Sequence, residues 1–174
     1  MKNICSRCHE IGRGCCGRKA ADLSEQIGIF YPEVKDIATK MNITEADFII
    51  KDTVPDEFRL SMREAVHPIF DSIYYQNIRF KLKTVNDFCV FLSDTGCTLP
   101  NDIRPVYCRI YPFFPSKQGD KYITVLSSHE CLAQNKSTNS WTIVNEHFGY
   151  SHEYLQVLFA KMNILAEMHI QYLT

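Results

Sequence analysis

Eight cysteines in a chain of 174 residues fall into two groups, Cys5, Cys8, Cys15 and Cys16 near the start and Cys89, Cys97, Cys108 and Cys131 in the middle. Thiols at C-x2-C spacing suit soft or borderline metals, because the two intervening residues let a tight turn aim both sulfurs at one ion. The competing explanation is a disulfide framework, which needs an oxidising compartment and a route to it. The start of the chain, Lys2-Asn3-Ile4-Cys5 followed soon by charged residues, offers no apolar stretch and no cleavage site of a secretory leader. Nor is any apolar run long enough to span a bilayer. The expectation is a cytoplasmic metal protein with reduced thiols. At any single position, a cysteine packed as a small hydrophobe is the alternative.

With 45% hydrophobic and 12% aromatic residues, a chain of this length can build one core of ordinary size. One domain over 1–174 is expected, residues 1–134 binding metal and 135–174 helical. The 19 basic and 20 acidic residues leave a formal charge of -1. No global field therefore draws the chain to nucleic acid or to an anionic membrane, and neither is expected as a partner. Arg7, Arg13, Arg18 and Lys19 lie among the first cysteines. They suit phosphate contact, or better, compensation of a thiolate-ligated centre whose net charge is near minus two for zinc or a [4Fe-4S] core alike. Gly12, Gly14 and Gly17 favour a loop wrapped closely around an ion.

Hydrophobic periodicity supplies the scaffold. Pro32 is placed to open a helix over 31–41 with Val34, Ile37, Ala38 and Met41 on one face. Thr44 followed by Asp47 reads as a cap with an acidic N3 residue, starting a helical turn that buries Phe48 and Ile49. Residues 55–66 are helical, with Pro68 ending or kinking the pattern near His67. Residues 77–83 alternate as a strand with one solvated face. A second strand over 89–92 and a turn at Asp94-Thr95-Gly96 set Cys89 and Cys97 opposite each other across a small hairpin. Residues 121–126 form a further strand leading to His129 and Cys131. Residues 135–140 make a polar surface loop before a helix holding Trp141, Ile143 and Val144. From the cap Ser151 a long amphipathic helix carries Leu155, Leu158, Phe159, Met162 and Leu165 at helical spacing to the end. It closes the core or presents an apolar stripe to a protein partner, and Met162 and Met168 adapt to either. The fold class is α+β: a small antiparallel sheet with flanking helices, irregular cysteine-rich metal-binding loops and a long C-terminal helix.

The segment Arg104-Pro105-Val106-Tyr107-Cys108-Arg109-Ile110-Tyr111-Pro112-Phe113, taken with Cys89-Val90-Phe91-Leu92 and Cys97, resembles the "C-x-F-L, C, R-P-x-x-C-R-x-x-P-F" signature of the YkgJ-type cysteine-cluster family. The C-x-x-C and C-C elements of that family are matched by Cys5, Cys8, Cys15 and Cys16. Six residues separate Cys8 from Cys15, a departure from the compact C-x-x-C-x-x-C-C form. The resemblance spans most of residues 5–131 and implies a zinc- or iron-chelating domain, some relatives being called iron-sulfur proteins. It implicates Cys5, Cys8, Cys15, Cys16, Cys89, Cys97 and Cys108 as ligands, with Arg104, Pro105 and Arg109 beside them; Arg104 and Arg109 become candidate cofactor-binding residues. Cys131 follows the signature as a further candidate ligand.

Each candidate has a structural alternative. Buried arginines such as Arg104 and Arg109 often tie down carboxylates or carbonyls near chain reversals. Tyr107, Tyr111, Phe113 and Phe114 are better read as core than as a substrate pocket. His9 or His129 would complete a three-cysteine, one-histidine zinc site, although neither has a partner at a firm spacing. Phosphate-binding glycine loops, G-x-S-x-G elbows and H-E-x-x-H helices are missing, so no catalytic residue is assigned and any enzyme activity must run through the metal. Three readings stand: a metal-binding module, redox-active if it holds an iron-sulfur cluster; an iron-sulfur, S-adenosylmethionine-dependent protein- or peptide-modifying enzyme, suggested by the similarity of flagellin lysine methylases to the family; and a structural zinc interaction module. Both cysteine groups are expected to converge on one metal centre.

Overall fold

Proline fixes φ in a helical range at no cost in a first turn, and Pro32 takes that position in α1, Tyr31–Met41. The computed structural model describes residues 28–65, 68–86, 88–111, 113–118, 121–126 and 150–174. Helix α1 buries Val34 and Ile37 and ends on Asn42, whose left-handed conformation (φ 52°) lets its N–H close on Ala38 and Thr39. Thr44 then receives the Asp47 carboxylate on its own N–H at 2.8 Å, starting α2, Glu45–Phe48. That helix lasts one turn. Ile49, expected inside it, instead opens the strand β1, Ile49–Thr53, because two successive β-branched residues gain more from a ladder than from a second turn.

After α3, Asp56–Ala65, α4, Phe70–Ile73, and a 3-10 turn at Tyr75–Asn77, the chain returns as β2, Ile78–Leu82. Strands β1 and β2 pair antiparallel from Ile49 opposite Leu82 to Thr53 opposite Ile78. The expected solvated face of β2 is not found. Arg79 is 4% exposed, its guanidinium clamped by both oxygens of Asp52 at 2.8 Å, so a bidentate ion pair replaces water. Just upstream, Gly28 lies where a Cβ would stand 2.9 Å from Ile73 and 3.3 Å from Arg79 and Tyr74, which only glycine allows without a shift.

Four short elements follow: β3, Thr84–Val85, β4, Phe88–Cys89, β5, Leu92–Ser93, and β6, Gly96–Cys97. Then come α5, Val106–Ile110, β7, Phe113–Gln118, β8, Lys121–Leu126, and the 22-residue α6, His152–Leu173. The strands make four separate two-stranded antiparallel ladders among the described residues, rather than one small sheet. With its helices and its long C-terminal helix the fold is α+β. The expected helix around Trp141 and the loop at 135–140 lie outside the described residues.

The described apolar side chains form two clusters. One joins α4, α5 and α6 through Phe70, Tyr107, Ile110, Leu155 and Met162, with Tyr107 and Phe113 in it as core residues. The other joins α1 to the β4–β6 region through Ile37, Phe48, Phe80, Phe91 and Leu99, and Cys89 and Cys97 pack against it. Among the described residues no helix is long and apolar enough to cross a membrane.

Candidate metal centre

Residues 83–98 fold as two minimal hairpins. Thr84 pairs with Cys89 in the first and Leu92 with Cys97 in the second. Thus Cys97 stands across from Leu92 and not from Cys89, because the two-residue Asp94-Thr95 turn sets the register, with Ser93 opposite Gly96. The hairpins are tied by the Val90 N–H on the Lys83 carbonyl (2.9 Å) and by the Thr98 N–H and hydroxyl on the Phe91 carbonyl (2.8 and 3.1 Å). Phe91 anchors the junction by burying its ring against Phe48, centroids 5.5 Å apart.

This junction brings the two sulfurs within electrostatic reach of each other. Both Cys89 and Cys97 are reduced and half-buried. Burial pushes the Cys89 thiol up, the Phe91 N–H donated to its sulfur pulls it down, and the charge that Cys97 carries as a thiolate pushes it up again. Burial and a neighbouring sulfur thus both favour the neutral Cys89 thiol, and a bound cation would offset both effects by compensating the thiolate charge.

Arg104 secures the segment after Cys97. Its Nε donates to the Leu99 carbonyl at 2.9 Å and its Nη2 to the Cys97 carbonyl at 3.3 Å, so the guanidinium fixes a chain reversal beside a candidate ligand. Cys108 is exposed on α5. One residue on, Arg109 donates from Nη2 to the Tyr154 hydroxyl at 3.1 Å and lies 5.8 Å from that ring's centre, joining α5 to α6. Its Nε is buried with no hydrogen-bond partner among the described residues.

Among the described residues no three Cys, His, Asp or Glu side chains gather as a metal-binding group. The described part of the chain therefore supplies a thiol pair, Cys89 with Cys97. Cys5, Cys8, Cys15, Cys16, Cys131, His9 and His129 lie outside the described residues, and with them the expected convergence of the two cysteine groups on one centre.

Sequence reasoning missed Glu33, the side chain that positions α5. Its Oε1 accepts the Val106 N–H at 2.6 Å and its Oε2 the Phe30 N–H at 3.2 Å, so one buried carboxyl caps the starts of α1 and α5 together. A glutamate at the third position of a helix signals the first bond; nothing local signals the second. Burial pushes Glu33 up to about 7, against the pull of those two N–H groups, Lys161 and Arg109. His169 was missed as well. Its Nδ1 accepts the Tyr31 N–H at 2.8 Å, between the edges of Phe30 and Phe80, and burial brings it down to about 4.

No family model matches the chain, and neither does any curated protein or solved structure.

Proposed function

We propose that this protein is a metal-binding cysteine-cluster protein that chelates zinc or iron, the latter as an iron-sulfur cluster, through its cysteine groups. The observation that carries the reading is the Cys89–Cys97 pair: two half-buried thiols from successive hairpins, close enough that charge on Cys97 opposes ionisation of Cys89, with the Phe91 N–H already on the Cys89 sulfur. N–H donors to sulfur and flanking cations are the usual surroundings of thiolate ligands, since they disperse the negative charge. Arg104 holds the Cys97 carbonyl, and Arg109 keeps a buried N–H donor unengaged next to Cys108. The similarity to the YkgJ-type signature supports the same ligand set. Bound there, zinc would hold the fold, whereas an iron-sulfur cluster would add redox chemistry.

The reading requires thiols kept reduced, hence a reducing compartment such as the cytoplasm. The C-terminal helix is the surface for a protein partner.

The deciding experiment is metal and acid-labile sulfide content, with a visible spectrum, on anaerobically purified parent, Cys89→Ser and Cys97→Ser chains. We expect bound metal in the parent and loss of most of it in both variants. Iron with matching sulfide identifies a cluster; zinc without colour identifies a structural site. A parent without metal, or variants that keep the parent's full content, would overturn the assignment.

A further inference from the structure

We propose that the joint between α1 and α5 is a proton-controlled hinge, held shut while the Glu33 carboxyl carries its proton and opened to water when that proton leaves. Glu33 is 5% exposed, and its hydrogen-bond partners among the described residues are two backbone N–H groups, Phe30 at 3.2 Å and Val106 at 2.6 Å. One belongs to the start of α1 and the other to the start of α5, so the carboxyl is the polar tie across the joint. None of the described Lys, Arg or His side chains forms an ion pair with it. Arg109 of α5 and Lys161 of α6 act on it through their more distant charge, and Tyr107 of α5 feels its charge in turn. His169 of α6 is engaged with the Tyr31 N–H instead.

A carboxylate removed from water without a cation in contact is costly, far more so than the neutral acid with its hydrogen bonds made. Burial accordingly pushes Glu33 up to about 7 in the closed joint, whereas a carboxyl reached by water titrates near its ordinary 4.5. Linkage then sets the direction: the open joint holds fewer protons, so a rise of pH through that window favours it. The movement is local. Ile110 is fully buried and Arg109 donates to the Tyr154 hydroxyl, so the far end of α5 stays in the core while the turn at Pro105-Val106 lifts from Glu33. Burial of the Val106 side chain opposes the lift and keeps the open form a minor one. That turn leads directly into Cys108 and Arg109, so proton loss loosens the entry to the stretch that carries them, whether or not the thiols hold metal.

Amide exchange read by NMR on the full chain as purified, with reductant, tests this between about pH 4.5 and 6.5. There Glu33 and His169, the latter brought down to about 4 by burial, give opposite slopes to global unfolding, so a change in protection at one place reports a local opening. Corrected for its intrinsic exchange rate, the Val106 N–H should lose protection by on the order of thirtyfold across the interval, while the Leu158 and Met162 N–H groups of α6 stay level. The Glu33 carboxyl carbon, followed on to alkaline pH in the same chain, should titrate near neutrality. Glu33→Gln should hold the Val106 protection constant; if that variant does not fold, the parent's carboxyl and amide measurements decide the case together. Val106 protection that stays level while the carboxyl titrates, a parallel loss in α6, a carboxyl that titrates in the ordinary acidic range, or a folded E33Q that keeps the parent's loss would each overturn the proposal.

Discussion

Two buried ionisable side chains, Glu33 and His169, give the molecule opposing responses to acid. Glu33 rises from 4.5 to about 7 on folding, so between those values the folded chain holds more protons than the unfolded one. Its stabilising share is complete below about pH 4.5 and is lost as pH rises to 7, on the order of 3 kcal/mol in all. His169 falls from 6.5 to about 4, so the folded chain holds fewer protons in that window and stability grows as pH rises through it, by a similar amount. From about pH 4.5 to 6.5 the two slopes cancel. Urea unfolding at stepped pH should therefore show E33Q gaining stability with pH relative to the parent across that window, and H169Q losing it. An E33Q curve parallel to the parent's would show that burial does not hold the Glu33 proton. Neither residue could be assigned this role from sequence, because the partners that bury them, Val106 and Tyr31, lie 73 and 138 residues away. By contrast, spacing singled out Cys89 and Cys97 in sequence, although the cross-strand pairing expected for them is not the one that forms.

At the scale of elements, legibility follows how much of each element's stability is local. Helix α1 and helix α6 were readable to within a residue or so, since Pro32 and Ser151 mark their starts and an apolar period runs through both. The side chain of Ser151 accepts the Tyr154 N–H at 3.1 Å. Ser151→Ala should therefore cost about 1 kcal/mol, read as a lower urea midpoint at unchanged slope. A loss confined to noise would mean that tertiary packing alone starts α6. Strand β1 and helix α5 were not anticipated. β1 exists because β2 pairs with it and Arg79 needs Asp52. Helix α5 is five residues long, too short to persist by propensity, and its first N–H is met by Glu33 from a distant helix. Both are decided by partners remote in sequence, which no local pattern encodes.

For the whole molecule, what matters is that the described cysteines adjoin one apolar cluster and not the other. The cluster of α4, α5 and α6 holds large buried side chains such as Phe70, Tyr74, Leu155 and Leu158, and none of Cys89, Cys97 or Cys108 is part of it. The other packs Cys89 and Cys97 at its edge, where the ladders are two residues long and contribute few hydrogen bonds of their own. If those thiols bind metal, the free energy of binding is spent on ordering the second cluster, and the first keeps its packing without it. Metal removal should therefore act regionally. In hydrogen exchange followed by mass spectrometry, chelator-treated protein should lose protection over residues 83–99, where the Val90 and Thr98 N–H groups are bonded, while peptides from the buried side of α6 exchange at the parent's rate. Re-addition of the metal should restore protection, and Cys89→Ser should abolish that restoration, because the metal would lose a proposed thiolate ligand. Uniform loss of protection would instead mean that the metal supports both clusters, as a centre shared with the N-terminal cysteines and Cys108 requires. No change in residues 83–99 would remove Cys89 and Cys97 from the ligand set and with them the reading of this protein as built around its thiols.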